Sequence, residues 1–116
     1  MGNNARQRGA AAEQRASAYL QQQGLTEITK NYHCPGGELD LVMQDRDTLV
    51  FVEVRLRSHA GFGDALESID WRKQQRLRQA AEHFLLTYDW SGACRFDAVG
   101  IDGAGQLKWV PDAFEG

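Results

Sequence analysis

The chain reads as an α/β protein with the element order αβββαββ, a central mixed sheet flanked by helices, and three observations predict this. Two stretches carry apolar residues at helical spacing, one near the start and one past the middle. Between them lie three consecutive runs of strand character joined by the turn-forming "PGG" and "DRD". Two shorter strand-like runs follow the second helical stretch. With 116 residues, 42% hydrophobic and 25% charged, the chain holds one core, so a single domain over 1–116 is expected.

The first helix is expected over about 5–23, with Ala12, Ala16, Tyr19 and Leu20 at helical spacing and Gly24 at its C-terminal stop. Glu13 lies at the edge of that apolar stripe, and Gly9 in the first turn suggests close approach of another group to the backbone. "LTEITKNYHC", "ELDLVMQD" and "TLVFVEVRLR" then form an antiparallel meander. The third run is apolar on both faces at its start, which places it centrally, covered on both sides. After the Gly-containing "SHAGFGDALES", Asp70 caps a second helix over 71–88, with Leu77, Ala81, Phe84, Leu85 and Tyr88 facing inward. "RFDAVGI" is a fourth strand, "DGAG" a hairpin turn, and "QLKWV" a short edge strand closed by Pro111. Trp71, Trp90 and Trp109 read as core or edge anchors.

Composition narrows the setting. No stretch reaches membrane-spanning length and the opening residues lack the apolar run of a signal peptide, so a cytoplasmic protein is expected. Cys34 and Cys94 are lone and far apart, which predicts two small buried apolar side chains and no disulfide framework. The net charge of −3 argues against binding nucleic acid through bulk positive charge. The distribution is uneven, however. Residues 1–78 hold eleven basic residues against ten acids, while 79–116 hold Arg95 and Lys108 against six acids. An anionic partner would therefore meet the first two thirds of the chain.

The residues that carry chemistry sit in the meander. A tight "DRD" turn brings Asp40 opposite Glu53 on the neighbouring strand, with Arg55 on the same face as Glu53. Like charges face to face are unfavourable unless a cation lies between them or one is protonated. Carboxylate oxygens with water and a backbone carbonyl suit Mg²⁺ or Mn²⁺, and an arginine beside them suits a phosphate oxygen. The bland alternative is a partly buried ion pair, which is often no gain over apolar packing. Glu38 reads as a strand-end solvent residue that could also be a third acid, and Asp97 as a structural partner of Arg95 or of a loop amide. Arg72, Lys73, Arg76 and Arg78 form either a solvated helix face or a backbone-contacting surface. Phe62, between two glycines, is either packing or a wedge, and His33, His59 and His83 lack metal-ligand spacing.

The spacing of Asp40, Glu53 and Arg55 resembles the P-D-(D/E)-x-K nuclease core. More specifically, "GAAAEQRASAYLQQQGL", "KNYHCPGGELDLVMQD", "TLVFVEVRLRS", "RFDAVGI" and "WVPDAF" resemble the successive blocks of the YraN family, bacterial proteins similar to archaeal Holliday-junction resolvases. That resemblance implies a restriction-endonuclease-like fold and metal-dependent cleavage or binding of branched DNA. By position it implies Glu13, Asp40, Glu53 and Arg55 as the catalytic set, with Asp40, Glu53, the Val54 carbonyl and Glu13 around Mg²⁺ or Mn²⁺. Arg57, Arg72, Lys73 and Arg76 would contact DNA, and a homodimer follows by analogy. Arg55 stands where the nuclease pattern has Lys; a guanidinium cannot take a proton from water, so Lys73 is the candidate replacement. The competing expectations are a catalytically inactive nucleic-acid-binding or scaffold domain, and an interaction module using the acidic last third.

Overall fold

The computed structural model describes residues 4–57 and 69–115, with side chains from residue 9 onward. Its elements follow the predicted order: α1 (Asn4–Gln22), β1 (Thr26–Cys34), β2 (Gly37–Asp45), β3 (Thr48–Leu56), α2 (Trp71–Thr87), β4 (Ala93–Ile101) and β5 (Leu107–Phe114). The strands form one five-stranded sheet in sequential order. β1, β2 and β3 are mutually antiparallel, β3 and β4 are parallel, and β5 returns antiparallel to β4. The parallel step requires a crossover, and α2 lies within it.

The two helices cover opposite faces. Ala12, Ala16 and Leu20 of α1 pack on Leu41, Met43, Val50, Val52, Val99 and Ile101. Leu77, Ala80, Ala81 and Phe84 of α2 pack on the other face, against Leu39, Val42, Phe51 and Phe96. Val50, Phe51 and Val52 are buried in succession, because the middle strand is sandwiched between both helices.

Boundaries follow local chemistry. Gly24 takes φ +102 after α1, a conformation that costs glycine little. The Asp70 carboxylate accepts from the Lys73 amide at 2.8 Å, satisfying an orphan donor in the first turn of α2. Asp102 accepts from the amides of Ala104 and Gln106 and so shapes the β4–β5 turn.

Several expectations need correction. Trp71 is 71% exposed and anchors no core; only Trp90 and Trp109 are partly buried, their indole nitrogens donating to the Ala93 carbonyl and to Asp97. β5 does not stop at Pro111 but runs through it to Phe114; Pro111 falls in the register shift between the pairs Ala98–Val110 and Phe96–Phe114, on an outermost strand, where proline is tolerated. Among the described residues, nothing lies within 4 Å of a Cβ built on Gly9, so no close packing there explains that glycine. Cys94 is exposed and Cys34 only partly buried; both are free. Phe62 and His59 lie outside the described residues. No helix among the described residues is long and apolar enough to cross a membrane.

Candidate metal centre

β2 and β3 pair in the predicted register, with Asp45 opposite Thr48, Met43 opposite Val50 and Leu41 opposite Val52. One step beyond, the ladder changes character. The Val54 amide donates to Asp40 Oδ2 at 2.8 Å, so a side chain continues where backbone pairing ends. A strand residue's N–H and C=O point to the same edge, which turns the Val54 carbonyl toward Asp40 as well.

Asp40 also sits where β2 rotates. Leu39 belongs to the apolar cluster under α2 and Leu41 to the one under α1, although strict alternation would place both on one face. In the facing strand the register places Asn31 between the pairs Lys30–Leu41 and Tyr32–Leu39, and Asn31 has φ 56. Asparagine tolerates this left-handed conformation better than most side chains. The twist lets Asp40 meet acids from both sides of the sheet. Its carboxyl lies close enough to Glu53 of β3 for the two to act on each other's titration, and Glu13 of α1 lies close enough to Asp40 and Asn31 for both to act on its own.

Two cations close on Glu53, which is only 3% exposed. Arg55 Nη1 lies 3.1 Å and Lys73 Nζ 3.3 Å from Glu53 Oε2. Three acids thus face two cations. Removal from water raises all three carboxyls, and it outweighs the lowering effect of the cations on Glu53. That residue, further raised by the adjacent Asp40, reaches about 7. Asp40 is raised by burial, then by Glu13, against the hydrogen bonds that lower it; Glu13 is raised by burial and by the charges of Glu38 and Glu53. Without a further cation, the fold favours the protonated form of Glu53 and pushes Asp40 and Glu13 in the same direction.

The donors are all hard oxygens from three separate elements, which suits Mg²⁺ or Mn²⁺. Their surplus of negative charge suits a divalent ion for the same reason. Among the described residues, no group of three or more His, Cys, Asp and Glu is already spaced as a metal cage. The Val54 amide and the Arg55 and Lys73 cations already engage Asp40 and Glu53, so an incoming ion has to share those oxygens.

The remaining predicted residues separate. Arg72 and Arg76 are exposed on the first half of α2, and Arg57 follows β3 with its amide donating to the Ile101 carbonyl. Arg78 leaves the basic group: its guanidinium donates to the Glu115 carbonyl and lies over the Phe114 ring, tying α2 to β5. Glu38 is exposed and pairs with His33 at 3.1 Å; His83 pairs with Tyr32. Asp97 is fully buried and accepts from Arg95, from Trp109 Nε1 and from the Asp112 amide, a structural hub as expected. Sequence reading missed Asn31; its only local sign was an asparagine interrupting a run of strand formers.

A family model described as "Uncharacterised protein family UPF0102" matches residues 12–101. The chain belongs to the UPF0102 family. This is the YraN family anticipated from the motifs. The match spans Glu13, Asp40, Glu53, Arg55 and Lys73 and stops at the end of β4. UPF0102 proteins similar to the chain occur in Pseudomonas putida strain W619, with 58% identity covering 92% of each chain, and in Nitrosomonas eutropha, with 48% identity covering 97% of each. A UPF0102 protein of Cupriavidus metallidurans is 53% identical, covering 92% of this chain and 80% of its own.

Proposed function

We propose that the chain is a metal-dependent endonuclease with a restriction-endonuclease-like architecture, hydrolysing phosphodiesters in branched or otherwise structured DNA in the cytoplasm. The observation that carries this reading is the convergence of Glu13, Asp40 and Glu53 from α1, β2 and β3 beside Lys73 and Arg55. Glu13, Asp40, Glu53 and the Val54 carbonyl would hold Mg²⁺ or Mn²⁺. When bound, such an ion supplies Lewis acidity and makes water a competent nucleophile at neutral pH.

The chain's own groups then divide the remaining work. Asp40 is fixed by the Val54 amide and sets where the donor oxygens converge. Glu53, titrating near neutrality, is the acid whose proton loss readies the cluster. Lys73 occupies the place that Arg55 cannot fill: an amine can exchange a proton with water or a leaving oxygen, whereas a guanidinium stays charged. Arg55 places a fixed charge where negative charge gathers on the phosphoryl oxygens. Arg57, Arg72 and Arg76 would hold the flanking backbone.

A second reading is a nucleic-acid-binding or scaffold domain that keeps the fold without the activity. It is favoured by the same two cations, because Arg55 and Lys73 together already offset the charge of Glu53. The two readings separate by experiment. A nuclease nicks or cuts branched DNA with Mn²⁺ and loses this on Glu53→Ala, whereas a binder shifts DNA without metal and tolerates that change. Calorimetry with Mg²⁺ or Mn²⁺ in the presence of DNA, on wild type and Asp40→Ala, tests the ion itself. Absence of binding at millimolar ion removes the enzymatic reading.

A further inference from the structure

Beside the acid cluster lies an open depression of about 370 Å³, between the β1–β2 turn and the first two turns of α2, lined by His33, Gly36, Gly37, Glu38, Lys73 and Arg76. Lys73 belongs to both places, since its ammonium reaches Glu53 from the depression's inner wall. Arg76 follows one turn later, about 5–6 Å away at Cβ. Among the described residues, no hydrogen bond or ion pair engages its guanidinium.

Close packing makes this concavity. A Cβ at Gly37 would stand 2.5 Å from the Arg76 carbonyl oxygen, and one at Gly36 would stand 3.1 Å from Gln79 Oε1. Only glycine lets the turn come this near α2, which carries Arg76 over the turn. The first turn of α2 contains no acidic side chain, so its partial positive end is not offset there beyond the Asp70 cap. The single acid in the lining is Glu38, whose carboxylate lies 3.1 Å from His33 Nδ1 on the rim.

We propose that this depression is a second phosphate subsite, which takes the phosphodiester adjacent to the one at the acid cluster on the same strand. Arg76 is its principal contact, and the exposed Glu38 carboxylate in the same lining weakens it. The inference rests on the nucleic-acid reading above. It makes the substrate a continuous strand with charged phosphates on two successive linkages, not an isolated phosphate monoester.

The test uses the full chain and short fluorescein-labelled oligodeoxynucleotides whose linkages are replaced, one at a time, by uncharged methylphosphonate. Binding is followed by anisotropy without metal. Two results are expected on wild type and Arg76→Ala: neutralising one particular linkage weakens wild-type binding roughly tenfold, and it has no further effect on Arg76→Ala. Glu38→Gln, an exposed change that spares the core, tightens binding severalfold. Penalties that stay additive between Arg76→Ala and every neutral linkage overturn the subsite, as does Glu38→Gln binding no more tightly than wild type.

The parent reading is scored separately, by Mn²⁺-dependent cleavage that disappears in Glu53→Ala. Cleavage without the Arg76 coupling removes the subsite alone; coupling without cleavage leaves the subsite in a binding protein. If wild type binds no oligonucleotide, the subsite falls, and the parent reading still stands or falls on cleavage alone.

Discussion

At the level of single residues, Glu53 makes a claim about pH. Its carboxyl titrates at about 7 in the fold, against an ordinary value of 4.5, so the fold favours its neutral form. The resulting stability is fully present below about pH 4.5 and is lost as pH rises through 7. Metal-free protein should therefore lose roughly 2 kcal/mol between pH 5 and pH 8 in urea titrations, with Asp40 and Glu13 acting in the same direction. Glu53→Gln should flatten most of that slope, and millimolar Mg²⁺ should flatten it in wild type if the cluster takes the ion. A second single-residue claim concerns Asp97, fully buried with Arg95, Trp109 and the Asp112 amide around it. Asp97→Ala leaves the Trp109 indole and the Asp112 amide without their acceptor, while Arg95 keeps Asp45, and should cost about 3 kcal/mol, read from the shift in urea midpoint. The meeting of Asp40 and Glu53 was legible in the sequence because a tight turn dictates register. The engagement of Glu13 was not legible from spacing, since it depends on a strand rotation at Asp40 that the hydrophobic pattern does not encode. It entered only through family resemblance.

Among the elements, α2 couples the core to the candidate centre. Its inner stripe packs on the sheet, its second residue past the start reaches Glu53, and its N-cap is Asp70. Asp70→Ala should destabilise the protein by about 1 kcal/mol, and the cap's loss should loosen Lys73 as well. The sharper change is Gly37→Ala. The added methyl meets backbone, not a flexible side chain, so the β1–β2 turn must move off α2. A cost of roughly 2 kcal/mol in thermal or urea unfolding is expected, with DNA affinity lowered because Lys73 and Arg76 shift together. Periodicity placed α2 and its cap correctly, since both follow from local chemistry. Residue type misplaced Trp71: read as an anchor because it is aromatic, it lies off the face of Leu77, Ala81 and Phe84 and is exposed. Arg78 was misassigned for a related reason: its partners, the Glu115 carbonyl and the Phe114 ring, are far away along the chain.

Across the whole molecule, the order αβββαββ and the single mixed sheet were legible because turn residues and strand alternation agree throughout the meander. The reach of β5 past Pro111 was not, because proline argues against a strand except on an outer edge, and position within a sheet is a tertiary property. That outer position has a further consequence. Both margins of the sheet are irregular: β1 has a register shift between Glu27 and Thr29 and left-handed backbone at Asn31, while β5 carries Pro111 and left-handed backbone at Asp112. Neither rim offers a straight row of free amides and carbonyls for a neighbouring chain to zip onto. Copies of this protein that associate must then meet through helices or loops, and crowding it at high concentration should produce no fibre built by extending the sheet.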